Sequence, residues 1–102
     1  MGSSGIYHVG GGVSAPTVIH VVDPKYSEEA RSAKVNGMCI VALIVGVDGL
    51  PQNVHVIKKL GSGLDEKAAE AVSQYRFKAA TYQGQPVPVE VNIEVNFQIY
   101  AK

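Results

Sequence analysis

The side chains in this sequence that could do chemistry are few, and their spacing decides what they can do. His8, His20 and His55 are scattered, with none of the i, i+4 pairing by which a helix offers two imidazoles to one metal ion. His55 is expected on the solvated face of a strand. Cys39 is the only cysteine, which excludes an intrachain disulfide and a cysteine-based metal cluster. Within the apolar run "MCIVALIVGV" it is expected to be buried, where a thiol behaves as a small hydrophobe rather than a nucleophile. Glu90 and Glu94 share a strand face but lie about 13 Å apart at strand rise, too far for the paired carboxylates of a glycosidase. Asp65 is better placed to cap a helix than to exchange protons. Gly10, Gly11 and Gly12 would cradle a phosphate only between a strand and a helix, and neither flanks them. No catalytic residue, metal site or cofactor is therefore expected. A small α+β enzyme is the weakest reading, because nothing in the sequence builds a pocket of perturbed ionisable groups.

The chain of 102 residues is the length of one domain, enough to bury a modest core without a disulfide framework. Nine basic and nine acidic side chains cancel, so there is no electrostatic reason to expect nucleic acid or an anionic membrane surface. No run of about 18 apolar residues is present, so no helix is expected to span a membrane. Residues 1–5, "MGSSG", read as an added leader. Residues 6–25 read as an extended lead-in segment, with three consecutive glycines suggesting mobility. Within it Pro16 and Pro24 bracket "TVIHVVD", either a short edge strand or a strap over the body.

The elements that must position everything else begin after Tyr26. A first helix is expected over residues 27 to about 35. Ser27 would cap it, Glu28 and Glu29 would favour the positive end of its dipole, and Asn36-Gly37 would supply a left-handed exit. The apolar run at 38–47 is a strand that stops at Asp48-Gly49, a two-residue hairpin signal. Its return strand covers about 52–60, with Pro51 at the start suiting an edge. "GSGLDEKAAEAVSQYRFKAA" (61–80) then opens with Ser62 and Asp65 in a capping-box relation. Leu64, Ala68, Ala71, Val72 and Tyr75 fall on one helical face. Phe77 would anchor the exit, Arg76 would point outward, and Ala79 and Ala80 would let the chain pass close to the sheet.

The clearest periodicity lies at 89–100, "VEVNIEVNFQIY", where apolar and polar residues alternate strictly. Period two over that length means a strand with one buried face and one wet face. The fold class is therefore α+β: a three-stranded antiparallel sheet of order 2-1-3 with two helices on one face. A right-handed crossover would place the last strand at an edge. The expected core includes Val41, Leu43, Val45, Val56, Leu64, Ala68, Val72, Phe77, Ile93, Val95 and Phe97. Met38, Ile40, Ala42 and Ile44 form a second apolar stripe on the face that should be wet. Either the segment around Val18 to Val22 folds over it, the favoured reading, or it is a partner or self-association surface.

"DPKYSEEARSAKVNG", "VDG", "GSGLDEKAAEAVSQYRFKAA" and "GQPVPVEVNIEVNFQIY", in that order, resemble the C-terminal domain of TonB-type proteins. The most specific pieces are Pro24-x-Tyr26, Leu64-Asp65 and the triplet Tyr75-Arg76-Phe77. The family usually has proline where this chain has Ser27, tryptophan at Tyr75 and proline at Ala79. The resemblance assigns residues 26–102 to a domain of that kind. It implies a non-enzymatic periplasmic domain of an inner-membrane-anchored protein in a Gram-negative bacterium. Its partner would be a segment of an outer-membrane transporter, pairing with the last strand at Asn92, Ile93, Glu94, Val95, Asn96, Phe97, Gln98 and Ile99. Proton-channel partners in the inner membrane would act through parts outside this chain, and a homodimer is a further expectation. The alternative is a self-association or sensory module fused to another membrane-anchored protein.

Overall fold

The computed structural model describes residues 5–98. In chain order the elements are β1 (Tyr7–His8), β2 (Thr17–His20), α1 (Glu28–Ala33), β3 (Gly37–Val45), β4 (Pro51–Lys58), α2 (Leu64–Ser73), β5 (Arg76–Lys78), β6 (Ala80–Tyr82), β7 (Gln85–Val87) and β8 (Val89–Phe97). The main sheet has four strands in the order β1-β8-β3-β4, and two small two-stranded sheets pair β2 with β5 and β6 with β7. The expected three-stranded sheet is thus corrected to a four-stranded, mixed one. β1 lies parallel to β8, matching Tyr7 to Val89 and His8 to Glu90, while β3 is antiparallel to both of its neighbours.

Alternation along β3 sets the layers. Cys39, Val41, Leu43 and Val45 are fully buried together with Ala30 of α1 and Leu64, Ala68 and Val72 of α2. Both helices thus join one core on one face of the sheet. β8 adds Val89, Val95 and Phe97 to that core, and Phe77 follows from β5. Val56 and Ile93 are half-buried, packed against the core from its rim, and Val47 is exposed in a turn. The edge of the Tyr26 ring meets Phe97 at 5.4 Å between centroids, closing the core beside α1.

Several local expectations change. Ser27 does cap α1, accepting from the Ala30 amide at 3.1 Å, and its hydroxyl also donates to the Ser62 carbonyl at 2.6 Å. α1 exits through Lys34 in the left-handed region, not through Asn36-Gly37. The hairpin after β3 has a longer loop than two residues: the Gly49 amide bonds the Gly46 carbonyl at 2.9 Å and the Gly46 amide bonds the Leu50 carbonyl at 3.1 Å. That is a turn followed by a left-handed residue, the usual three-residue hairpin. Gly49 is required twice over. Its φ is +81°, and a Cβ there would run into the Phe77 carbonyl oxygen. The hairpin tip is a docking point for the chain leaving α2.

The lead-in segment is more ordered than its glycines suggested. Gly10 and Val13 exchange two backbone hydrogen bonds of 3.0 Å, with Gly11 and Gly12 both at positive φ, so the glycine run makes a tight turn between β1 and the strap. β2 pairs antiparallel with β5. Val18, Ile19 and Val21 are exposed, so they do not cover the Met38–Ile44 stripe. On that stripe Ala42 is buried and Met38, Ile40 and Ile44 are half-buried.

Candidate partner-binding edge

β8 owes its regularity to the alternation of its side chains, since a one-residue slip would bury Glu94 and Asn96. Its pairing with β3 runs from Val89 opposite Val45 to Phe97 opposite Gly37 with no break in register. Which backbone groups face outward follows from one hydrogen bond. The Tyr7 amide donates to the Pro88 carbonyl at 2.9 Å, so Pro88 turns its carbonyl away from β3. Backbone groups alternate sides along a strand, and the unbroken register carries that alternation forward. The amides and carbonyls of Asn92, Glu94 and Asn96 therefore point outward, and those of Val91, Ile93, Val95 and Phe97 face β3. β1 engages only the Val89 and Glu90 positions. Over residues 91–97 the outer side of β8 has no strand partner among the described residues.

The opposite edge of the sheet differs. The pairing of β4 with β3 shifts between Ile40 and Val41 and again between Ala42 and Ile44. Asn53 sits at the second irregularity with φ +52°, and asparagine tolerates that region better than most residues. Pro51 begins β4 and Lys58 ends it. Bulges, proline and lysine are the devices that blunt an edge against pairing.

Of the residues named from the sequence, Asn92, Ile93, Glu94, Val95, Asn96 and Phe97 lie together on β8. Gln98 follows the end of the strand, and Ile99 lies outside the described residues. Sequence reasoning missed Tyr7 and His8. Tyr7 stacks at 5.6 Å on Tyr82, and His8 Nε2 lies 3.9 Å from a Glu90 carboxylate oxygen. Their only signal was "IYHV", a short β-prone run ahead of the glycines.

A part-buried polar junction beside α2 is structural. Asp65 accepts the Leu60 amide at 2.6 Å and the Gly61 amide at 3.1 Å, and the Cys39 thiol donates to it at 3.3 Å. Asp65 is therefore a clamp on the loop leading into α2, not half of a capping box. The residue before that helix is Gly63, which offers no side-chain cap. Burial pushes the Asp65 carboxyl up, but the Leu60 amide, the Cys39 thiol, the Gly61 amide and the Lys59 charge outweigh it and hold it below the ordinary carboxylate range. Burial, the hydrogen bond to Asp65 and the charge on Asp65 push the Cys39 thiol up to about 11, the opposite of what a nucleophile needs. Tyr75 is also raised, by burial and then by the charge on Asp23. His8, His20 and His55 are exposed. Among the described residues no three His, Cys, Asp or Glu side chains group as metal ligands, and no helix is long and apolar enough to cross a membrane.

Comparison with known proteins places this geometry. Residues 22–99 match a family model described as "Gram-negative bacterial TonB protein C-terminal". Two curated relatives, each called "Protein TonB" and from two strains of Xanthomonas campestris pv. campestris, are 35% identical over 77 residues. The match covers 74% of this chain and 34% of each relative, so the chain spans about a third of their length. Among solved structures, the solution NMR structure of the Pseudomonas aeruginosa TonB CTD superposes with a TM-score of 0.69 at 19% identity, covering 85% of this chain and 89% of that one. The last likeness shows the fold, and the family model, matched over most of the chain, shows the family: the chain belongs to the C-terminal domains of Gram-negative bacterial TonB proteins.

Proposed function

We propose that this domain is the periplasmic, partner-binding end of a TonB-type energy transducer, and that it captures an extended segment of an outer-membrane transporter beside β8. The observation that carries the reading is the contrast between the two sheet edges. β8 offers an unbroken ladder whose outward amides and carbonyls lack a strand partner along residues 91–97 among the described residues. β4 is interrupted twice. An incoming extended peptide gains main-chain hydrogen bonds from a regular edge, while the side chains beside it set selectivity. Asn92, Glu94 and Asn96, with Gln98 beyond, would tune which segment is accepted, and the backbone supplies the shared bonds. Affinity is modest, because a short disordered segment gives up conformational freedom on pairing. The role is mechanical rather than catalytic. Anchoring in the inner membrane and coupling to the proton gradient fall to parts of the protein outside this chain.

An NMR titration with peptides from the periplasm-facing ends of the host's transporters tests the reading. Shifts should cluster on residues 91–97 and neighbouring β3. Asn96→Pro removes an outward amide, so it should weaken binding by about tenfold, the worth of one hydrogen bond plus local fit, with the fold intact. Ile93→Pro breaks the ladder to β3 and should unfold the domain. Shifts confined to Met38, Ile40 and Ile44, or an Asn96→Pro variant that binds undiminished, would refute capture at this edge.

A further inference from the structure

The free stretch of β8 begins where β1 ends, and β1 is fastened there by little. Its parallel register sets Tyr7 opposite Val89 and His8 opposite Glu90. Pairing of that kind takes up the outward carbonyl of Pro88, which accepts from the Tyr7 amide at 2.9 Å, and the outward groups of Glu90. Val89 lies in the core, so Tyr7 opposite it faces the helix side, where its half-buried ring meets Tyr82 at 5.6 Å. His8 faces the open side, 3.9 Å from Glu90 with both side chains exposed, a contact that contributes little in water. The chain on the far side of the glycine run is anchored more firmly. Val13 is buried and bridges to Tyr82. Ser14 donates its amide to the Thr81 carbonyl at 2.9 Å and accepts the Thr81 amide on its hydroxyl at 2.9 Å. Between this anchor and β1 stand Gly10, Gly11 and Gly12, all at positive φ. An added Cβ at Gly10 or Gly11 would meet nothing within 4 Å, so packing does not call for glycine at either position. What glycine supplies there is backbone freedom, the property a segment needs at its base if it is to swing.

We propose that β1 is a displaceable plug on the capture edge, driven off when an extended segment pairs along β8. The inference rests on the reading of β8 as the edge that receives a transporter segment, and it adds how that edge is regulated. Continuing the register of β1 would set Val9 opposite Val91, but there the chain bends away into the glycine turn. A segment that reaches Asn92 therefore meets Val9 and Gly10 in its path. Each outward amide or carbonyl of Pro88 and Glu90 serves one strand at a time, so β1 and a segment spanning the whole of β8 exclude each other. In the absence of a partner β1 holds the place, because its tether keeps it at high effective concentration. A segment that pairs beyond residue 91 as well makes more bonds than the two residues of β1 and displaces them. Displacement lengthens the usable edge from residues 91–97 to 88–97 and opens the slot beside Tyr82 that Tyr7 fills. Undocking β1 is charged against binding, so the plug lowers affinity and guards the edge against chance pairing with other extended chains.

Two opposite changes to β1, each followed by NMR titration with the same transporter peptides, test the plug. Tyr7→Pro removes the amide that bonds Pro88, so it should undock β1 and tighten binding by about tenfold, the worth of roughly one hydrogen bond. His8→Cys combined with Glu90→Cys provides a lock. Directly paired strands lie about 4.8 Å apart, within the Cα separation that a disulfide spans, and Cys39 is buried away from the pair. Oxidised, this variant should bind at least about tenfold more weakly than the same variant reduced, because the open state is removed. In the wild-type complex the Tyr7 and His8 amides should move to unstructured positions and lose their contacts with Val89 and Glu90, while Val13 and Ser14 stay in place. An amide spectrum of each variant checks that the rest of the fold is kept. Equal affinity of the oxidised and reduced forms overturns the plug and leaves capture at residues 91–97 standing, as does a complex in which Tyr7 and His8 remain on β8. Peptides that fail to shift β8 even in Tyr7→Pro overturn both readings.

Discussion

The clamp around Asp65 makes a quantitative prediction, because one carboxylate ties the loop leading into its own helix to the central strand. It takes the amides of Leu60 and Gly61 and the thiol of Cys39 on the central strand. Asp65→Asn keeps the shape but loses the charge, and the new amide group cannot accept the second backbone donor. Hydrogen bonds to a charged group are worth about 1.5–3 kcal/mol each. Asp65 is only partly buried, so water recovers part of the loss, and a net cost of about 2–3 kcal/mol is expected at neutral pH. The pH dependence has a definite sign. The folded-state carboxyl lies below its ordinary value, so its contribution is present in full above the unfolded value, about 3.9. It fades as pH falls through the folded value. Urea denaturation of wild type and variant should therefore show a constant gap from pH 7 to about pH 5 that closes as the pH drops further. A gap below about 0.5 kcal/mol at neutral pH, within the range of ordinary surface changes, would refute the clamp. So would a gap unchanged in strong acid.

Two further outcomes follow from the same core. The Cys39 thiol is raised from 9.0 to about 11, so its neutral form stabilises the fold below the unfolded value, and that contribution is lost as pH climbs through the folded one. Two units correspond to about 2–3 kcal/mol, and Cys39→Ala should flatten the alkaline limb of the stability curve between pH 9 and 11 relative to wild type. Gly49→Ala should destabilise by at least about 2 kcal/mol, combining a left-handed backbone with a steric conflict. Thermal unfolding would read the loss, and an unchanged midpoint would show that the hairpin tip does not dock on Phe77.

What the sequence made legible was set by how strongly each stretch is constrained locally. The strict alternation of β8 admits one register, and the apolar face of α2 admits one orientation, so Leu64, Ala68, Val72, Val95 and Phe97 all lie in the core as their spacing requires. Ser27 followed by Glu28 and Glu29 marked the start of α1 because capping is a short-range effect. The misses are long-range. Ser62 and Asp65 have capping-box spacing, yet Asp65 turns to Leu60, Gly61 and Cys39 instead, and one of those partners lies on a distant strand. β1 is only two residues long, and nothing local could announce that Tyr7 would find Pro88 and Tyr82. The bulges in β4 were equally silent, since "QNVHVIKKL" reads as an ordinary run until Asn53 adopts a left-handed conformation.

Those silent features set the two edges of the sheet apart. A sheet must end somewhere, and each terminal strand presents backbone groups that any extended chain can satisfy. β4 meets this liability with a proline at its start, two breaks in register and a lysine at its end. On β8 the same liability is handled only at one end, where Tyr7 and His8 fill the Val89 and Glu90 positions and Pro88 offers no amide. The rest of that strand keeps an unbroken register and carries no lysine or arginine. If β8 were merely a terminal strand, the blunting seen on β4 would be expected on it too, since the cost of unwanted pairing is the same at both edges. The asymmetry between them is the physical argument for strand addition at residues 91–97, and it stands apart from the family relationship.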